Sequence, residues 1–311
     1  MPLEQWLDLS TGISPFTYPL PEVPQACWRR LPETHDGLEV AAADYYGSEY
    51  LLPVSGSQEA IQRLPRLRPA SRVGIISPAY HSHRQAWEQT GHQVIELTGT
   101  KVAASLGELD VLLLVNPNNP TTERFSPTQL RNWHEQLAKR HGCLVVDEAY
   151  IDCTPEDSLI QAQPLAGMIV LRSVGKFFGL AGIRLGFVWA EEALLQRLAA
   201  LQDDWSVSHP ARWAGKLALT DTAWQKQQRA RLITAGARLR DCLQTAYPHT
   251  EIQSSALFAY GAMANAREEY ERLARQGVLV RYFSGPEALR FGLPQEEPDW
   301  QHLEYALGNR G

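Results

Sequence analysis

Three stretches of this 311-residue chain hold residue types whose spacing could do chemistry. The fullest is Arg172-Ser-Val-Gly-Lys-Phe-Phe-Gly-Leu-Ala-Gly-Ile-Arg-Leu-Gly-Phe187, where Ser173, Lys176 and Arg184 sit in a glycine-punctuated loop directly after an apolar run. Two cations and a hydroxyl so placed suit a phosphate. Of the five lysines, Lys101, Lys139, Lys176, Lys216 and Lys226, only Lys176 stands at the end of a core-like run. The second stretch runs from Val111 to Val115 into Asn116-Pro-Asn-Asn-Pro-Thr121, and the third from Cys143 to Val146 into Asp147-Glu-Ala-Tyr150. Both put polar groups at the carboxyl ends of strand-like runs, where open α/β sheets place their ligands.

Other chemistries fit parts of this pattern. Asp147-Glu148 after an apolar run could be the metal-binding carboxylates of a nucleotide hydrolase, but no G-x-x-x-x-G-K-[ST] loop accompanies them. Ser173-x-x-Lys176 could be a penicillin-binding serine with its lysine, yet no Lys-Thr-Gly partner is present. His81 and His83 alternate on a segment read as extended and lack a nearby third ligand, which is weak ground for a metal, and none is expected. Ser55-Gly-Ser-Gln-Glu-Ala60 taken alone reads as a helix cap.

The elements that must position these groups alternate along the chain. Apolar runs at Leu51 to Val54, Val73 to Ser77, Gln93 to Leu97, Val111 to Val115, Cys143 to Asp147, Ile169 to Ser173 and Leu185 to Ala190 predict seven buried strands. Helical stretches at Gln58 to Leu67, His81 to Thr90 and Pro127 to Arg140 lie between them, the alternation of a mostly parallel sheet covered on both faces. After about Trp205 the pattern changes to long helices, Ala211 to Leu219 and Trp224 to Tyr247, then short strands near Ala256 to Gly261, Val278 to Tyr282 and Ala288 to Gly292. We therefore expect an N-terminal arm over 1–39, a large α/β domain over 40–205 and a smaller α+β domain over 206–311. Pro15, Pro19, Pro21, Pro24 and Pro32 keep most of the arm out of regular helix, so it should run over the surface.

A net charge of −6 gives no general attraction to nucleic acid or anionic lipid and points to a small-molecule site. Met1 to Leu20 has none of the features of a signal peptide, and no apolar run reaches the ~18 residues of a membrane span, so a cytoplasmic protein is expected. Cys27, Cys143, Cys153 and Cys242 show no C-x-x-C spacing and are read as reduced, with Cys143 in the core.

Taken together and in order, N-P-N-N-P, D-E-A-Y and S-x-x-K-x-x-x-x-A-G-x-R-x-G resemble the fold type I pyridoxal 5′-phosphate (PLP) enzymes, in the branch of histidinol-phosphate aminotransferases and L-threonine O-3-phosphate decarboxylases. Asp147 follows Asn119 by 28 residues and Lys176 follows Asp147 by 29, and the match spans Asp8 to about Pro294. The resemblance implies the PLP-transferase fold and a homodimer. It implies that Lys176 holds PLP as a Schiff base and moves protons, that Asp147 pairs with the pyridine nitrogen, and that Asn119 and Tyr150 bond the ring hydroxyl. Tyr80 would stack on the ring, and Gly56, Ser57, Gln58, Ser173 and Arg184 would form the phosphate cup at the start of a helix. His83 falls where decarboxylase-like members carry a histidine near the substrate.

Asp8-Leu-Ser-Thr-Gly-Ile-Ser-Pro15 and Leu289-Arg-Phe-Gly-Leu-Pro294 are similar to the decarboxylase side of the branch. That implies decarboxylation of L-threonine O-3-phosphate for cobalamin synthesis, with histidinol-phosphate aminotransfer as the alternative. Arg290 would take the substrate carboxylate, with Ser14, Asn119 and Arg281 as further substrate contacts. The chain departs from the family pattern at Gly175 and Ser14, which replace a common serine and asparagine, and at Leu31 and Thr122, which replace a tyrosine and a glycine. It is expected to bind the substrate phosphate without the His-Gly-Gly arm of decarboxylase relatives.

Overall fold

The computed structural model describes Pro2 and residues 5–308. Positions 1, 3, 4 and 309–311, which fall in the expected arm and C-terminal domain, lie outside the described residues. Two compact units form: one gathers residues 18–119 and 123–223, the other residues 1–17, 120–122 and 224–311.

The first strand, β1 (Leu7–Asp8), belongs to the smaller unit. The larger unit is built on β2 (Leu51–Val54), β3 (Arg72–Ile76), β4 (Gln93–Leu97), β5 (Val111–Val115), β6 (Cys143–Asp147), β7 (Met168–Ser173) and β8 (Gly186–Trp189), ordered β2-β8-β7-β6-β5-β3-β4. The strands from β4 to β7 are parallel, and β8 runs antiparallel to both β7 and β2. Alternation along each strand feeds two cores: Val111, Leu113, Val145 and Leu171 pack on one face, Leu112, Leu114, Val146 and Val170 on the other. Covering both faces is what lets such strands read as unbroken apolar runs.

Among the described residues, the helices of this unit are α1 (Gln25–Arg29), α2 (Leu38–Tyr46), α3 (Ser57–Arg63), α4 (His81–Gln89), α5 (Val102–Ser105), α6 (Pro127–Ala138), α7 (Val174–Phe177), α8 (Glu192–Ala199) and α9 (His209–Thr220). Their starts follow from capping chemistry where the sequence supplies it. The Ser126 hydroxyl accepts from Gln129 N with Pro127 in the first turn of α6, and Ser208 accepts from Ala211 N at α9.

The smaller unit holds β9 (Ile252–Ser254), β10 (Phe258–Ala262), β11 (Val278–Leu279), β12 (Arg281–Phe283) and β13 (Ala288–Gly292), with most of α10 (Thr222–Ala246), α11 (Ala266–Arg275) and α12 (Glu297–Gly308). An antiparallel sheet runs β12-β13-β10-β9, and β1 pairs parallel with β11. The single strand expected over Val278 to Tyr282 is therefore two, because its halves pair with different partners on either side of Val280. Much of residues 19–36 is exposed, but the beginning of the proline-rich segment buries apolar side chains. Leu9, Phe16 and Tyr18 are buried, since proline excludes helix without preventing an extended segment from burying its apolar side chains. No helix of the described residues is long and apolar enough to cross a membrane.

Candidate active site

The carboxyl ends of β5, β6 and β7 and the start of α3 bring one set of side chains to a single cavity in the larger unit. Ser57, Gln58, Tyr80, Asn119, Asp147, Tyr150, Ser173, Lys176 and Arg184 all line it. Parallel strands end on one edge, so the residues that follow each strand meet there although far apart in sequence.

Each is held by local structure. Asn116 folds its side chain onto the loop after β5, accepting from Phe125 N at 2.9 Å and donating to Phe125 O at 3.1 Å. Asn118 Nδ2 donates to Pro78 O at 2.8 Å, which ties that loop to the segment carrying Tyr80. The Tyr80 hydroxyl donates to Gln58 Oε1 at 3.1 Å, and the half-exposed Tyr80 ring stands as the N-cap of α4. Lys176 lies in the one-turn α7, and its Nζ is 5.9 Å from the centre of the Tyr150 ring.

Two glycines let the segments converge. Gly56, at φ +70°, precedes α3, and a Cβ there would meet Arg184 Nη2 at 2.6 Å. A Cβ at Gly186 would stand 2.8 Å from Ser57 N and 2.6 Å from Arg172 O. Any side chain at either position would part Arg184 or β8 from the start of α3. Arg184 itself adopts φ +53°.

Asp147 is buried, and its two oxygens have separate partners. Oδ1 accepts from Ala149 N at 3.0 Å, and Oδ2 lies 2.9 Å from His83 Nε2. The carboxylate only accepts, so with Asp147 ionised the imidazole hydrogen resides on Nε2. His83 is thus a buried support of Asp147 rather than a group facing a substrate, and His81 is exposed beside the Tyr80 ring. The two histidines open α4 instead of alternating on an extended segment, which turns them to different surroundings. Among the described residues no group of three or more His, Cys, Asp or Glu is arranged to hold a metal.

The remaining candidates lie in the smaller unit. Arg290 is buried in the middle of β13, its Nη2 donating to Ser10 O at 2.6 Å and its guanidinium 5.3 Å from the centre of the Phe258 ring. Arg281 is its direct cross-strand partner on β12 and is exposed. Like charges directly opposed across an antiparallel pair are unfavourable. Ser14 is buried; its hydroxyl accepts from Phe16 N at 3.1 Å and from Gln228 Nε2 at 2.8 Å, and donates to Phe16 O at 3.2 Å. Its hydrogen-bonding capacity is thus engaged within this unit.

Sequence reasoning gave no role to Arg172, Glu148 or Asp152, and none to His83 as the partner of Asp147. The signals for the histidine are its place three residues after Tyr80, one turn along a helix, and its match to a histidine of decarboxylase-like members.

The model of the family described as aminotransferase class I and II matches residues 28–305. The chain is 49% identical to the threonine-phosphate decarboxylase of Pseudomonas aeruginosa over 99% of its length and 92% of that protein's. It is 38% identical to the threonine-phosphate decarboxylase of a Sinorhizobium species, over 98% and 92% of the two chains. A crystal structure of histidinol-phosphate aminotransferase from Sinorhizobium meliloti in complex with pyridoxal-5′-phosphate shares the fold, with a TM-score of 0.82 at 21% identity over 96% and 89% of the two chains.

Proposed function

Because the chain belongs to the aminotransferase class I and II family, we propose that it is a PLP-dependent lyase that cleaves L-threonine O-3-phosphate to (R)-1-aminopropan-2-yl phosphate and CO2, a step of cobalamin side-chain synthesis. The observation that carries this reading is the 49% identity, over nearly the whole chain, to a threonine-phosphate decarboxylase.

The residues present fit the cofactor. Gly56 keeps the approach to Arg184 open; Ser57, Gln58, Ser173 and Arg184 line one cavity as a donor set for a phosphate, and Lys176 and the buried Asp147 share that lining. When bound, PLP supplies an electron sink for the pair left behind as the carboxylate departs. Lys176 would hold the group through its amine and later return a proton to the substrate Cα. Asp147, steadied by His83 and Ala149 N, would keep a proton on the ring nitrogen. Asn119 and Tyr150 would hydrogen-bond the ring hydroxyl, and Tyr80, fixed by Gln58, would cover the ring face. Arg290, with Arg281 opposite it, is assigned the substrate carboxylate. Asn119 completes the proposed substrate contacts; Ser14, expected among them, has its hydroxyl engaged by Phe16 and Gln228 and is not assigned one.

The enzyme would act in the cytoplasm as a homodimer, and sedimentation at micromolar concentration checks the assembly; an active monomer would contradict it. The deciding experiment is mass analysis of the products from threonine phosphate with no keto acid present. Release of CO2 and aminopropanyl phosphate supports the reading. If histidinol phosphate instead transfers its amine to 2-oxoglutarate, the aminotransferase alternative replaces it.

A further inference from the structure

Directly behind the cavity lies a buried group of charges that the chemistry above does not use. Arg172 Nη2 is 2.5 Å from Asp152 Oδ1, and Nη1 is 3.5 Å from Glu148 Oε2 and 3.3 Å from the Ser158 hydroxyl. The Tyr45 hydroxyl donates to Asp152 Oδ1 at 3.0 Å, and the Arg172 guanidinium lies 4.6 Å from the centre of the Tyr46 ring. Glu148 further accepts from Ser158 Oγ at 2.6 Å and Leu159 N at 2.8 Å. Arg172, Glu148 and Asp152 are all buried.

The placement of these charges is what matters. Arg172 immediately precedes Ser173 on β7 and stands four residues before Lys176; Glu148 follows Asp147 and Asp152 lies two residues after Tyr150. Successive side chains of a strand face opposite sides, so Ser173 lines the cavity while Arg172 is absent from its lining. Glu148 is likewise absent from that lining while Asp147 belongs to it. Arg172, Glu148 and Asp152 are thus each next or nearly next to a cavity residue.

A stability role alone explains this poorly. Burying three ionisable groups is costly, and well-packed apolar side chains commonly serve stability as well or better. Arg172 Nε is buried and makes no hydrogen bond, a further cost. Burial pushes the Glu148 carboxyl above its ordinary range while Arg172 and its hydrogen bonds draw it down. Burial also works against the Arg172 charge, but Asp152, Tyr46 and Glu148 outweigh it and hold the guanidinium ionised. What the guanidinium fork achieves is geometric: one rigid, permanently charged plane joins two carboxylates from a single turn.

We infer that Arg172, gripped by Glu148 and Asp152, is a positioning residue for the reaction: it clamps the end of β7, which carries Ser173 and leads to Lys176, to the turn after β6, which carries Asp147 and Tyr150. The inference rests on the cofactor reading above. A clamp of this kind sets the amine and the carboxylate in register without touching either, and small misplacements of such groups are expensive in rate.

The test compares wild type with Arg172→Lys, Arg172→Gln and Asp152→Asn. The measurements are the visible circular dichroism of bound PLP per unit absorbance, kcat and KM on threonine phosphate separately, and the thermal midpoint of the apoprotein. Asp152→Asn and Arg172→Gln are expected to change the dichroic band and to lower kcat about 10- to 100-fold with KM near wild type, and Arg172→Lys to recover part of both. Variants that lose only thermal stability, with wild-type dichroism and kcat, would overturn the inference. If Arg172→Gln does not fold, Asp152→Asn decides by the same measurements, because it keeps the shape of the group and an acceptor for Tyr45. A wild-type protein that develops no visible band with PLP overturns the cofactor reading and this inference together, whereas a normal wild-type band with unaltered variants overturns this inference alone.

Discussion

His83 Nε2 and Asp147 Oδ2 lie 2.9 Å apart, with both side chains almost wholly buried. The pair joins the first turn of α4 to the end of β6, and it leaves Asp147 with a defined donor on each oxygen. A carboxylate so held keeps its orientation.

His83→Ala removes that donor and leaves a buried carboxylate oxygen unpaired, a loss on the order of 1.5 to 3 kcal/mol for a hydrogen bond to a charged group. Turnover and cofactor affinity should both fall, in steady-state kinetics and PLP titration. Unchanged values for both would show that Asp147 needs no such support.

Asp147→Asn keeps the shape of the side chain and removes its charge. Turnover should drop by about 10²- to 10⁴-fold, the range attributed to positioned acid-base groups, with far-ultraviolet dichroism unchanged. Turnover close to wild type contradicts the role assigned to the carboxylate.

Lys176→Ala should abolish the visible absorbance of the purified protein and the covalent adduct trapped by borohydride. Peptide mapping of the wild-type adduct should place the label on Lys176. An adduct persisting in the variant transfers the role to another lysine.

Arg290→Ala should weaken handling of the substrate carboxylate while PLP binding stays intact. Two charge-assisted hydrogen bonds of about 1.5 to 3 kcal/mol each are at stake, so kcat/KM should fall by at least about 10²-fold. An equal loss of PLP affinity would mean that the arginine acts on the fold of its unit instead.

Glu148 predicts a pH dependence of stability. Burial raises its carboxyl above the ordinary value of 4.5, against the pull of Arg172, Ser158 and Leu159 N. The unfolded chain releases this proton near pH 4.5 and the folded chain only at higher pH. Between those points the unfolded state binds fewer protons, so stability falls as pH rises through that window. Glu148→Gln should flatten this slope in denaturant titrations taken from mildly acidic to neutral pH. An identical slope in the variant removes Glu148 as its source.

Much of the larger unit was legible in the amino-acid sequence. Strands buried on both faces leave unbroken apolar runs, so β5 and β6 begin and end where the runs do. The motif residues stand directly after those runs, and parallel strands end on one edge, so their meeting in one cavity follows from order alone. Helices α2, α8, α11 and α12 were not read: α2 and α12 mix their polar and apolar residues, whereas α8 and α11 segregate theirs onto opposite faces and carried a helical period that could have found them. The partition of Val278 to Phe283 between two sheets depends on which strands lie alongside, and no local pattern records that.

The sequence by itself determined the chemistry on offer: a lysine after a core strand, a carboxylate at the end of another, and the fold that places them together. Only the tertiary structure decided which groups stand behind them. That Asp147 meets His83, that Arg172 meets Glu148 and Asp152, and that the Ser14 hydroxyl is engaged by Gln228 are contacts across 64, 24, 20 and 214 residues. Such pairings follow from where packed strands and helices bring buried polar groups, each of which must find a partner once water is excluded.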